Sequence, residues 1–307
     1  MNTRNVQTTS TLVMVRPAHF GFNEQTAESN AFQHQTQLPA SEVHRRALQE
    51  FDDMVSQLRS AGIEVVVFED SPEPVKPDAI FPNNWISFHR NGNVVLYPMQ
   101  AANRRVERRQ DIPEYFLERY PHATLIDLSH YEQENLFLEG TGSMVMDRVN
   151  QLVYMCISPR SSMPLFEEFC SRLGIEGVAF HGVDEQGQAI YHTNVMMAMG
   201  HKFAVICLEA ITDPEEKAFV TKRLVDTGHE VIPISLKQTH HFAGNLLQVY
   251  NHAGEPKLVM SERAFRSFTP DQIARFKAFT DLLVIPIDTV ETFGGGGVRC
   301  MLAEVFY

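Results

Sequence analysis

What this chain lacks narrows it first. No apolar run approaches 18 residues, so no segment reads as a membrane span. The opening Met1-Asn2-Thr3-Arg4 has no apolar core of the kind a signal peptide needs. Positive charge is scarce. Lys and Arg number 26 against 38 Asp and Glu, a net charge of −12, which argues against nucleic acid or an anionic membrane as a partner. Only four cysteines occur, at 156, 170, 207 and 300, with no CxxC spacing and no zinc pattern. Cys156 and Cys207 sit in apolar runs, as small buried residues in a reducing cytoplasm do, and Cys170 falls in a helical pattern. No metal-ligand cluster or cofactor motif is visible, so neither metal nor cofactor is expected. Assembly with further copies of the chain stays open. What remains is 307 residues, 44% hydrophobic, enough for one large domain or two smaller ones.

Cys300 has a different setting. It follows Phe293-Gly294-Gly295-Gly296-Gly297-Val298-Arg299. A glycine run costs backbone entropy, and it is kept where side chains would block something or φ must be positive. The neighbouring Arg299 would favour thiolate over thiol. The plainer reading is a tight loop entering a buried edge strand with a core cysteine.

Taken in order, residues 1–12 are polar and read as frayed, apart from a strand over Thr11–Val15. Residues 17–40 form a polar stretch too long for a plain connector, with Phe20-Gly21-Phe22 placed as a lid or binding loop. Apolar residues at three- and four-residue spacing predict a helix from Ser41 to Ala61, with Ser41 as N-cap and Gly62 as stop. A strand follows at Glu64–Phe68. Other helices are expected to start at Asp213-Pro214 and to run from Asp271 to Leu282.

A repeat then decides the architecture. Leu125, Val178, Val231 and Val284 mark β-rich segments 53 residues apart, and Val65 opens the series with a Pro-rich insertion after it. Five units of about 53 residues imply radial or solenoid repetition. Loops at the same phase would meet at one centre. Those positions hold Asp78 or Asn84, Glu139, His192, Asn245 and Cys300. An acid, a histidine and a cysteine in one place form a hydrolytic constellation. Each has a bland alternative: Glu139 as a turn carboxylate, His192 as a satisfied core residue, Asp78 as a solvated turn. Arg104-Arg105 and Arg108-Arg109 read as a solvated helix face, the His240-His241 pair as loop residues, and Arg160 at a strand end as a possible carboxylate binder.

The five-unit order with Glu139, His192 and Cys300 in phase resembles the guanidine-modifying pentein superfamily, most closely its dimethylarginine hydrolase branch. Met14–Asn23 is similar to the citrulline-hydrolysing members. The resemblance implies an α/β fold, a five-bladed propeller of ββαβ units around a central site, with the whole chain 1–307 as one domain. It implies Cys300 as nucleophile, His192 as acid/base and Glu139 as its carboxylate partner. Asp78 would hold the substrate's polar end, Arg160 its α-carboxylate, and Arg104 could share the clamp. Phe20 and Phe22 would close over the substrate.

Departures from that branch bear on the substrate. Two acids expected in Phe81–Asn84 are Asn83 and Asn84, an acid expected five residues before the cysteine is Gly295, and a clamp arginine is replaced by Tyr97. A buried guanidinium without a carboxylate is penalised by several kcal/mol, whereas amides match a neutral ureido group. The expectation is hydrolysis of L-citrulline to ornithine, ammonia and carbon dioxide through a covalent thiocarbamate. The alternatives are an arginine or dimethylarginine hydrolase, an amidinotransferase, or a non-catalytic propeller that only binds.

Overall fold

The computed structural model describes residues 6–27, 30, 32–34 and 37–306. Its strands form five three-stranded sheets. The first joins β1 (Thr11–Arg16), β2 (Glu64–Glu69) and β15 (Ala303–Val305). The second holds β3 (Ile86–Phe88), β4 (Asn93–Leu96) and β5 (Thr124–Asp127). The third holds β6 (Met144–Asp147), β7 (Leu152–Cys156) and β8 (Glu176–Phe180). The fourth holds β9 (Met197–Met199), β10 (Phe203–Ile206) and β11 (Glu230–Pro233). The fifth holds β12 (Leu247–Tyr250), β13 (Pro256–Ser261) and β14 (Asp281–Ile285).

Every sheet has the same wiring. The inner strand runs antiparallel to the middle one, and the outer strand runs parallel to it. A parallel pair needs a crossover connection, and helices supply it, such as Met163–Leu173 between β7 and β8 and Pro214–Asp226 between β10 and β11. The residues spaced by 53 all fall in outer strands, Leu125 in β5, Val178 in β8, Val231 in β11 and Val284 in β14. Inner strands contact in turn, β15 with β3, β6 with β9 and β9 with β12. β15 pairs with β1, Thr11 opposite Val305 and Val13 opposite Ala303, so the last strand completes the first blade. This is the five-unit propeller of the pentein fold.

Local chemistry explains the elements. In the helix Ala40–Ser60, Val43, Ala47, Phe51, Met54, Val55 and Leu58 form one buried face. Fully burying a side chain such as Phe51 or Leu58 contributes about 1.5–3 kcal/mol. The helix starts one residue before Ser41, after Pro39, and no side chain caps it. Asp213 does cap Pro214–Asp226, its carboxylate accepting from Glu215 N at 2.7 Å and Glu216 N at 3.1 Å. The helix expected to reach Leu282 covers only Pro270–Lys277, because Asp281–Ile285 pairs with β13.

The amino-terminal stretch also departs from expectation. Residues 1–5 lie outside the described set, but Gln7 and Thr8 are buried. Gln7 donates to Met146 O at 2.6 Å and accepts from Arg148 N at 2.7 Å, which anchors the segment across the inner end of the third blade. Much of 17–40 is described, and it includes a short helix, Glu24–Ala27.

Candidate functional site

The loops that enter the inner strands meet at one end of the ring. Glu139 precedes the turn Gly140–Ser143, His192 precedes Thr193–Met196, and Cys300 sits within the turn Val298–Met301. Asp78, Asn84, Arg104, Arg160, His192 and Cys300 line one small, half-open cavity of about 20 Å³. A water-sized sphere needs about 10–15 Å³, so a cavity of this volume has no room for an amino acid. Phe81, Tyr191 and the backbone of Gly294–Gly296 complete the wall, with Thr26 and Asn30 above them.

Glu139 lies behind His192. Its Oε2 accepts from His192 Nε2 at 2.8 Å and its Oε1 from Gln100 N at 2.9 Å. Arg160 Nη1 stands 3.5 Å from the same Oε2. Burial alone would push the Glu139 carboxyl up, but Arg160 and His192 outweigh it and hold it down at about 2. Burial lowers His192 to about 4 against the opposing pull of Glu139. At neutral pH the pair is therefore carboxylate and neutral imidazole. Because an ionised carboxylate only accepts, Nε2 carries the proton and Nδ1 keeps its lone pair. Nδ1 faces Gly142.

Cys300 is buried, and burial raises its thiol pKa. Arg299 gives the expected help only through space, its positive charge lowering the thiol pKa without a hydrogen bond to the sulfur. Its guanidinium turns away to Leu302 O at 2.8 Å and Glu304 Oε2 at 3.1 Å. The amides of Asn245 and Asn194 instead donate to Sγ, at 3.2 and 3.4 Å.

The opposite wall is a charge network. Arg104 makes a two-pronged ion pair with Glu107 at 2.9 and 2.8 Å and donates from Nη1 to Asn84 Oδ1 at 2.9 Å. It is buried, not on a solvated face as its sequence neighbours suggested. Burial pushes Glu107 up to about 7 against the pull of Arg104. Asp78 Oδ2 accepts from Asn23 at 2.7 Å and lies 3.7 Å from Arg104 Nε. Burial raises Asp78, and Arg104 opposes that. Asp78 Oδ1 and Asn84 Nδ2 have no partner among the described residues.

Other expected residues are placed differently. Asn83 is fully buried, yet it is not part of the cavity wall. Pro82–Asn84 is a 3₁₀ turn, in which successive side chains point about 120° apart. Phe20 joins the apolar cluster with Phe81 and Phe293, and Phe22 is half-buried; neither lines the cavity. Apolar rings follow the core, and the polar residues of that segment face the polar site. Tyr97 is buried in a bond to Ser87 at 2.6 Å, away from the cavity. His240 and His241 are exposed loop residues.

Sequence reasoning missed Asn23, Thr26, Asn30, Tyr191 and Asn194. The segment is sewn to the glycine run by Asn30 Nδ2 to Gly294 O at 3.4 Å, Gln33 Nε2 to Phe293 O at 3.2 Å and His34 N to Thr292 O at 2.7 Å. Gly295 has φ +62, and a Cβ there would meet Asn30 and Gln33 at 2.6 Å. An acid at that position would displace the segment above it.

Residues 16–307 match the family model described as N,N dimethylarginine dimethylhydrolase, eukaryotic. The chain belongs to this family. It is a dimethylarginine hydrolase-like member of the pentein superfamily. Solved structures share the fold at low identity. The N-terminal domain of ArgZ, an arginine dihydrolase from the ornithine–ammonia cycle in Cyanobacteria, bound to substrate, aligns with a TM-score of 0.73 and 17% identity over 96% of this chain and 98% of that one. The same domain covalently bound to a reaction intermediate gives 0.75 and 18%, over 96% and 97%. A mutant dimethylarginine hydrolase from Pseudomonas aeruginosa, complexed with citrulline, gives 0.69 and 16%, over 97% and 99%. No curated protein matches the chain in sequence. Among the described residues no helix is long and apolar enough to cross a membrane.

Proposed function

We propose that this family member is a cysteine hydrolase of the ureido group of L-citrulline. One observation carries the choice of substrate. Arg104 has only donors to offer, so the Asn84 oxygen must face it, and the Asn84 NH₂ is what remains for a ligand. A guanidinium is also all donors and would meet that NH₂ head-on. A ureido carbonyl accepts from it. Asp78 Oδ1, the unpartnered acceptor in the same wall, then takes a ureido N–H.

In the mechanism that fits, His192 Nδ1 takes the Cys300 proton as Sγ attacks the ureido carbon. The imidazolium, stabilised by Glu139, gives the proton to the departing amine, and ammonia leaves an S-carbamoyl thiocarbamate on Cys300. Water, deprotonated by His192, attacks that carbon and frees the thiolate. The carbamate of ornithine so formed loses carbon dioxide. The balance is citrulline plus water to ornithine, ammonia and carbon dioxide. Arg160, with Arg104 beside it, supplies positive charge for the α-carboxylate. The cavity is too small for an amino acid; we propose that the 17–40 segment opens to admit it, as a lid on a single domain spanning 1–307.

A second reading rests on Asp78. An unpartnered buried carboxylate oxygen would also suit a guanidinium, and ArgZ is an arginine dihydrolase. Incubation with citrulline, arginine and dimethylarginine separates the readings. Ornithine and ammonia from citrulline alone support the proposal. Citrulline appearing from arginine or dimethylarginine at a higher kcat/KM overturns it.

A further inference from the structure

A buried thiol that must ionise needs something to receive the charge. At Cys300 the Arg299 guanidinium helps only through space, its donors being engaged elsewhere, and His192 is neutral. Two amides fill the gap. Asn245 Oδ1 accepts from Arg299 N at 3.0 Å, and that partner can only donate, so the Asn245 NH₂ is forced toward the sulfur. One of its hydrogens reaches Sγ at 3.2 Å and the other Asn194 O at 3.2 Å. Asn194 Nδ2 reaches the same sulfur at 3.4 Å. Both side chains are fully buried.

The glycine run makes room for this arrangement. A Cβ on Gly297 would stand 2.7 Å from Asn245 Oδ1. Asn245 also lies at the same phase of the repeat as His192 and Cys300, 53 residues after the one and 55 before the other. The asparagine occupies in the fifth blade the place that the histidine occupies in the fourth.

We propose that Asn245 and Asn194 form a neutral cradle that holds the Cys300 sulfur as a thiolate acceptor, a catalytic role beside those of His192 and Glu139. Amide N–H groups bond more strongly to a charged acceptor than to a neutral one, so the cradle stabilises thiolate over thiol without placing a cation beside the substrate. Against the burial that raises it, the thiol pKa is lowered by the Asn245 amide, by the charge of Arg299 and by the Asn194 amide. The inference rests on Cys300 as nucleophile and is independent of which substrate it attacks.

The test is the rate of iodoacetamide alkylation at Cys300, located by peptide mass spectrometry, in substrate-free enzyme across pH. Asn245→Asp keeps the shape and the acceptor for Arg299 N while removing the donors. Asn194→Ala removes one donor from a side chain whose oxygen has no partner among the described residues. The thiolate-dependent rate at neutral pH falls about tenfold in Asn245→Asp and severalfold in Asn194→Ala, with kcat lowered in parallel and KM within about twofold. Should Asn245→Asp fail to fold, Asn194→Ala and Asn194→Asp decide the matter. Unchanged alkylation profiles in folded variants, whatever their turnover, would overturn the proposal and leave the amides as backbone ties. A wrong substrate assignment would leave these alkylation results intact, so the two failures are distinguishable.

Discussion

Asn84→Asp tests the substrate argument most directly. The Asn84 oxygen already accepts from Arg104 at 2.9 Å, and a carboxylate keeps that contact as an ion pair with a cation that is itself held by Glu107. The change therefore falls on the other atom, where a buried NH₂ with no partner among the described residues becomes an oxygen. A ureido carbonyl loses its donor and faces an acceptor, at a cost of about 1–3 kcal/mol, which is about 5- to 150-fold in kcat/KM. A guanidinium gains a charge-assisted acceptor worth about 1.5–3 kcal/mol. Arg104 already shares the new charge, so the gain lies toward the low end. The citrulline-to-arginine ratio of kcat/KM, the quantity that measures specificity, is expected to drop by about two powers of ten, mostly through citrulline. The assay reads ornithine from citrulline, and citrulline from arginine, on the same preparations. An equal fall on both substrates would make Asn84 a structural partner of Arg104 and remove the case for a ureido substrate.

Other outcomes follow from the same geometry. Cys300→Ser is expected to abolish turnover with the melting temperature little changed, and acid-quenched wild-type enzyme to carry the substrate-derived mass on Cys300 alone; an adduct on Cys156, Cys170 or Cys207 would sink the assignment. The imidazole of His192 binds a proton near 6.5 when unfolded but only near 4 when folded. Between those values the unfolded chain holds more protons, so stability falls as pH drops through that window, by about 3 kcal/mol in all. His192→Gln should flatten the melting-temperature slope there. The Glu139 contribution, with a folded value of about 2, is present above its unfolded range near 4.5 and is lost only below it. An unaltered slope in His192→Gln would mean that the imidazole is not buried neutral. For the proposed lid, amide exchange over 20–34 in Cys300→Ser should slow when citrulline saturates, and exchange there that ignores the ligand would leave the segment a fixed wall.

Much of the fold was legible because a radial repeat writes itself twice, once as hydrophobic period and once as spacing. Outer strands recur every 53 residues because each blade repeats the same strand–turn–strand–helix–strand length. Element ends were less legible. The helix after Thr269 gives way to strand pairing at Asp281, a tertiary demand that local pattern does not carry. Gln7 reads as part of a polar tail, yet its amide is matched to Met146 and Arg148 from another blade.

At the site, phase alone was enough to bring Glu139, His192 and Cys300 together, since equivalent loops of a ring must converge. What phase does not carry is where a side chain's hydrogen-bonding capacity is already used. Arg299 sits beside the cysteine in sequence and does lower its pKa by charge, but its donors are taken by Leu302 O and Glu304, so the hydrogen bonds to the sulfur come from elsewhere. Arg104, four residues from Arg108 in a basic stretch, reads as surface and is instead closed in by Glu107, Asp78 and Asn84. The consequence runs against the usual reading of such a residue. On the proposed ureido reading, Arg104 would act on specificity even before it meets a substrate, because an all-donor guanidinium against the Asn84 oxygen fixes the orientation of the amide. Replacing it by lysine would leave a cation in place but give up the planar grip on Glu107, and with it the fixed orientation of the amide. Arg104→Lys should therefore narrow the preference between ureido and guanidino substrates, even where the α-carboxylate still finds a positive charge. A variant that kept the full citrulline preference while only KM rose would assign Arg104 to the carboxylate clamp alone.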